Sequence, residues 1–259
     1  MVKGLYTAYT GMINEQNRMD IMTNNLANAS TVGYKKEGST SQSFDDVLTV
    51  KIKDQSVGMR NVQRLGVKNP GVKIGENYTD YSQGSLRITG NTYDLALSGE
   101  GFFAIEFTNK AGETDTKYTR AGQFTLNKDG YLVTEEGDYV LDTQNRRIRL
   151  NTLIDSSITD DGTIYQNGQA VAKIQVTDFE DYDYLEKYGE TYYQPIQGAK
   201  TIAAKAQVKS GYLEMANVQI VSEMVNLISI TRAYESNQKV VQTIDDTLDV
   251  AVNQIGRVQ

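Results

Sequence analysis

The sequence predicts an α+β protein: long N- and C-terminal coiled-coil-like helices packed together, with a central antiparallel β domain. Three observations carry that expectation. Apolar residues recur every seven positions at both ends of the 259-residue chain. The middle changes to a period of two, which places successive side chains on opposite faces of a strand. Asp-Gly and Asn-Gly pairs punctuate those runs, and such pairs accept the positive φ of tight hairpin turns. A seven-residue apolar seam is narrow and needs a partner helix to bury it, so the termini point to assembly.

The first helix is expected over residues 3–28. Leu5, Met12, Met19 and Leu26 form its heptad, with Ala8 and Met22 at the companion positions. Asn24, Asn25, Asn28, Ser30, Thr31 and then Gly33 supply helix-stopping chemistry. Residues 35–70 follow as an extended connector with one apolar knot at Phe44, Val47 and Leu48. Tyr34 is read as a packing aromatic; Lys35 and Lys36 are placed where they could meet acidic neighbours, and a solvated charge pair is the favoured reading.

Residues 71–210 are expected to form the β-rich outer domain. Leu86 and Ile88 share one strand face, as do Tyr93, Leu95 and Leu97, then Phe103, Ile105 and Phe107. Phe124 with Leu126, Tyr131 with Val133, and Ile174 with Val176 continue the alternation. The turns fall at Asp129-Gly130, Asp161-Gly162 and Asn167-Gly168.

The last helix is expected to start at an Asn217 N-cap and to continue to Ile255, about 60 Å at 1.5 Å per residue. Its seam runs through Ile220, Leu227, Tyr234, Val241, Leu248 and Ile255, accompanied by Ile230, Ile244, Ala251 and Val258. Residues 1–34 and 211–259 thus form one helical assembly domain. Glu15, Glu223 and Asn237 interrupt the seams. Such positions either face solvent or, for Asn237, fix register and partner orientation at a cost in stability.

Composition narrows function by exclusion. A formal net charge of −7 argues against nucleic acid and against an anionic membrane surface, both of which need a basic footprint. No apolar run approaches the ~20 residues that cross a bilayer, so no membrane insertion is expected. The opening MVKGLYTAYTGM has no continuous apolar stretch and no small-residue cleavage site, so no secretory signal is expected. With no cysteine and no histidine, disulfides, thiolate and imidazole metal sites, and Ser-His-Asp triads all drop out. No enzyme, cofactor or metal is expected.

Three local signals have blander readings. Gly99-Glu100-Gly101 lacks the Gly-Lys-Ser/Thr and helix of a phosphate loop, and reads as a tight strand turn. The acidic run from Asp178 to Asp183 lacks the Gly and distal Glu of a calcium loop. Tyr182, Tyr184 and Tyr188, with Tyr192 and Tyr193, could stack on sugar rings or pack a sheet face. The alternative function they define is a secreted β-rich glycan-binding module with oligomerising helical ends.

Three tracts, in order, resemble the bacterial flagellar rod and hook proteins. The first is Asn24-Asn25-Leu26-Ala27-Asn28 with Thr31, Gly33, Tyr34 and Lys35. The second runs from Gln83-Gly84-Ser85 through Gly90-Asn91 and Asp94 to Gly101-Phe102-Phe103, with Tyr118-Thr119-Arg120 beyond it. The third is Asn217-Val218, Glu223-Met224-Val225 and Arg232-Ala233-Tyr234-Glu235-Ser236-Asn237. The length is similar to a distal rod protein or its paralogue at the end of the proximal rod. The resemblance implies a structural subunit of the basal-body rod, partnered by copies of itself and by neighbouring rod and hook proteins. It also implies passage through the flagellar type III export apparatus without a cleaved signal peptide, and a final location outside the cytoplasmic membrane.

Overall fold

The first heptad forms one helix, α1 (Val2–Ala27), in a computed structural model that describes residues 2–51, 63–109 and 112–255. The last heptad forms α2 (Ile220–Val250), which ends in a single π turn over Ala251–Ile255. The chain divides into two compact units: residues 1–26, 37–79 and 220–259, and residues 27–36 and 80–219.

In the first unit α1 and α2 run antiparallel. A β-carbon on Gly4 would lie 3.6 Å from Ile244 Cδ1, and one on Gly11 would lie 3.0 Å from Asn237 Nδ2. Seven residues forward in α1 therefore match seven residues backward in α2. The side chains of Ile244 and Asn237 lie over those two glycines.

A second face of α1 carries strands that the alternation did not announce. β1 (Glu37–Ser43) pairs antiparallel with β4 (Val72–Thr79), with a register shift between Ser39 and Ser41. Between them β2 (Val47–Lys51) pairs with β3 (Gln63–Lys68). The first ribbon is tied to α1 by side chains. Buried Asn14 donates to Ser41 Oγ at 3.0 Å, and Thr7 donates to the Pro70 carbonyl at 3.2 Å. Buried Asn25 donates to the Glu37 carbonyl at 2.7 Å and accepts from its N–H at 2.9 Å. One amide side chain thus reproduces a pair of strand-type hydrogen bonds.

The second unit is antiparallel throughout. β5 (Leu86–Ile88) pairs with Tyr212–Glu214, and β6 (Leu95–Ser98) pairs with Gln207–Ser210. β7 (Phe102–Thr108) is the middle of a nine-stranded sheet. It pairs with β8 (Thr114–Thr119) along one edge and with Tyr139–Val140 and Val176–Phe179 along the other. Alternation along β7 feeds two cores. Phe103 enters a cluster with Leu95, Phe124, Leu132, Ile148 and Ile164, whereas Phe102 and Ala104 join Tyr118, Phe179, Leu185 and Tyr193. The turns predicted at Gly130, Gly162 and Gly168 all have positive φ. So do Gly99 and Gly101, and a β-carbon on Gly101 would lie 2.9 Å from that of Ala204.

Candidate functional site

The candidate site is the pair of terminal helices and the junction where their flanking segments meet. Along α2 the residues Glu223, Leu227, Ile230, Tyr234, Asn237, Val241, Ile244, Leu248 and Ala251 are buried or half-buried, while the positions flanking each are mostly exposed. The steps alternate between four and three, as a heptad requires. Ile220, at the first residue of the helix, stands half exposed. The side chain of Ile255, and Val258, lie outside the described residues. In α1 Leu5, Met12, Met19, Met22 and Leu26 are half-buried and Ala8 is buried.

The junction is built from residues far apart in sequence. Glu214 is fully buried and accepts from Lys35 Nζ at 2.7 Å, from the Gly84 N–H at 2.9 Å and from Arg120 Nη1 at 3.4 Å. Lys35 also donates to the Ser82 carbonyl at 2.8 Å, and the Arg120 guanidinium lies 5.1 Å over the Phe102 ring. Burial pushes the Lys35 amine below the usual lysine range, against the Glu214 carboxylate, which holds its proton on. The expectation of a solvated Lys35 is therefore overturned: a partner 179 residues away in sequence takes the charge inside.

Asn217 is not the helix N-cap expected of it. Its side chain accepts from the Lys36 N–H at 2.7 Å and donates to the Asp80 carbonyl at 2.7 Å, and α2 starts three residues later. The Ser82 N–H holds the Asp80 carboxyl below its ordinary value. Gly33 has φ +71°, and a β-carbon there would collide with the Arg120–Ala121 backbone. Only glycine lets the two segments touch. Tyr34 is buried, as a packing aromatic should be, with Lys187 Nζ 4.2 Å over its ring.

The motif residues divide into two groups. Asn25, Asn28, Gly33, Gly101, Phe102 and Phe103 are buried, and Asn91 donates to Asp94 at 3.1 Å in the turn after Gly90. Asn24, Arg232, Ala233 and Glu235 are exposed, while Tyr234 is half-buried. Asn14 and Glu214 are not anticipated by the sequence and Arg120 only as part of the second resembling tract, since a buried polar side chain leaves no periodic signature.

The aromatic platform of the glycan alternative is not assembled. Tyr192 and Tyr193 are buried, and Tyr182 packs on Tyr81 with ring centroids 4.9 Å apart while donating to buried Asp178. Tyr184 and Tyr188 keep exposed surface, but Lys117 Nζ sits 3.7 Å over the Tyr188 ring. No group of three or more metal-ligating side chains occurs among the described residues, and none of their helices is long and apolar enough to cross a membrane.

An N-terminal helix, a central antiparallel β domain and a C-terminal helix, in that order along the chain, define its α+β class. Comparison with known proteins specifies it. Three family signatures match in order: flagella basal body rod protein over residues 5–35, the flagellar hook protein FlgE/F/G D1 domain over 96–168, and the flagellar basal body rod FlgEFG protein C-terminal region over 209–255. The flagellar basal-body rod protein FlgG of Bacillus subtilis is 34% identical, with 98% of this chain and 99% of that protein covered. The flagellar hook-basal body complex protein FlhO of the same organism is 31% identical with both chains covered in full. The flagellar basal-body rod protein FlgF of Caulobacter vibrioides is 32% identical, again over both whole chains. The chain belongs to the flagellar basal-body rod protein family.

Proposed function

We propose that this protein is a subunit of the flagellar basal-body rod that polymerises with its own copies into a helical tube carrying torque from motor to hook. The observation that carries this reading is the helix pair: α1 and α2 meet along one seam while other faces of both remain apolar and exposed. Coiled-coil-like packing along Leu227, Ile230, Tyr234, Val241, Ile244 and Leu248 would stiffen each subunit, and Asn237 would fix the register. Exposed Arg232 and Glu235 are then available to neighbouring subunits.

The partners are copies of this chain, adjacent rod and hook proteins, and the type III export apparatus, which delivers it beyond the cytoplasmic membrane without cleaving a signal peptide. The chemistry asked of the protein is mechanical. Burying a Leu- or Ile-sized side chain gains about 1.5–3 kcal/mol, and repetition over many copies gives the rigidity that a shaft needs. Relatives named for the rod and for the hook–basal-body complex support this reading.

The test is an in-frame deletion in the source bacterium. The expected result is a non-motile cell whose basal bodies stop short of the hook, restored by the chain supplied in trans. Normal swimming with complete hooks after deletion would end the proposal.

A further inference from the structure

Two apolar stripes of the helical unit are left uncovered. Tyr6, Tyr9 and Ile13, at steps of three and four along α1, are between 40% and 61% exposed. Val221, Val225 and Ile228, at steps of four and three along α2, are between 53% and 77% exposed. Each stripe spans the same length, lies on one helix face and carries no formal charge. Each also lies away from the seam. Gly4 and Gly11 mark the side of α1 that meets α2, and Glu223, Leu227 and Ile230 mark the sheltered side of α2.

The two stripes of one chain do not lie level. Gly4 faces Ile244 and Gly11 faces Asn237, so residues at the same height have numbers adding to 248. Tyr9 and Val225 miss that condition by about 14 residues, which at 1.5 Å each is an axial offset of ~21 Å. A copy related by a screw along the helices keeps α1 and α2 antiparallel. One such shift brings Tyr6, Tyr9 and Ile13 against Ile228, Val225 and Val221 of the next copy.

Resting on the rod reading, we propose that this is a specific contact of the polymer: the tyrosine stripe of α1 seats on the valine–isoleucine stripe of a second copy's α2, displaced by ~21 Å. The occupant is a second copy because each stripe matches the other in length and spacing and one displacement satisfies both. The area agrees. Even at ~150–250 Å² for a fully buried Tyr, two tyrosines and one isoleucine that are only about half exposed stay below the ~800 Å² per partner of a stable complex. The contact makes no lasting dimer and holds only when repeated. It is head-to-tail, and a head-to-tail contact that does not close generates an open helical array.

The chain contains no cysteine, so introduced pairs report the contact without background. Hook–basal-body particles are isolated from cells expressing Y9C/V225C, and separately I13C/V221C, and oxidised. Incorporation is scored first, by the amount of chain in the particles. Incorporated chains should give a ladder of covalent multimers with either pair, single variants should stay monomeric, and Y9C/V252C should give no ladder. Multimers from Y9C alone, a ladder from Y9C/V252C, or incorporated chains without cross-links for either designed pair would overturn the pairing and leave the rod reading standing. A wild-type chain absent from the particles would remove the rod reading and the pairing with it.

Discussion

Gly11 lies against Asn237 so closely that a β-carbon at position 11 would stand 3.0 Å from the Asn237 amide nitrogen. Gly4, one heptad earlier, leaves 3.6 Å to Ile244, an ordinary contact distance. The two glycines therefore predict opposite outcomes. Gly4→Ala should stabilise the protein by up to about 1 kcal/mol, since alanine is the better helix former and nothing must move. Gly11→Leu should push the helices apart and lower the midpoint of chemical denaturation. Equal effects at both positions would contradict the antiparallel register.

Asn25 holds the start of β1 with two hydrogen bonds to Glu37. Asn25→Ala leaves a backbone N–H and a carbonyl without their partner and should cost about 2–4 kcal/mol, at roughly 1–3 kcal/mol per unsatisfied group. Asn25→Asp keeps the acceptor but sets a buried carboxylate oxygen against the Glu37 carbonyl, so its loss should be the larger of the two at neutral pH. Urea unfolding curves measure both.

The junction makes an asymmetric prediction. Lys35→Met leaves Glu214 still facing Arg120 and the Gly84 N–H. Glu214→Gln leaves two buried cations facing each other with no carboxylate between them. Removing one member of a buried pair costs about 3–5 kcal/mol, and Glu214→Gln should sit at or above the top of that range while Lys35→Met sits below it. Thermal melts of the two variants decide the order, and the reverse order would mean that Glu214 is not the hub.

Acid should weaken the β-rich unit through Glu106. Paired hydrogen bonds from Arg147, at 2.6 and 3.0 Å, hold the Glu106 carboxyl below its ordinary 4.5. A carboxyl with a depressed folded pKa adds stability that is complete above its ordinary value and is lost as pH falls through the folded one. Wild type should exceed Glu106→Gln by about 0.5 kcal/mol or less at pH 7, because the pair is partly exposed. The difference should vanish as pH falls through the lowered value of the folded state. Melting temperatures across that range test the convergence.

What the sequence disclosed follows from what leaves a periodic trace. The α2 heptad was legible because apolar residues recur at the sheltered positions, and the hairpin turns because Asp129-Gly130 and Asn167-Gly168 name the backbone they need. β1 was not legible. Its residues, EGSTSQS, carry no apolar alternation, and Asn14 and Asn25 of α1 hold the strand through hydrogen bonds. Lys35 and Asn217 were misjudged for a related reason. Their partners, Glu214, Lys36, Asp80 and Ser82, come together only in the folded chain.

Leu227 and Val241 give the mutational test of assembly. Both are half-buried in α2, and Leu227→Lys or Val241→Lys would place a charge in the seam. Each should abolish or sharply reduce swimming on soft agar. Normal motility in both variants would remove these residues from the seam.

The most direct measurement of the central claim is quantitative mass spectrometry of intact hook–basal-body particles from the source bacterium. A rod subunit should be present in fixed proportion to the hook and other rod proteins, and should stay with the particles through detergent extraction. Particles that contain those other proteins and lack this chain would contradict the account.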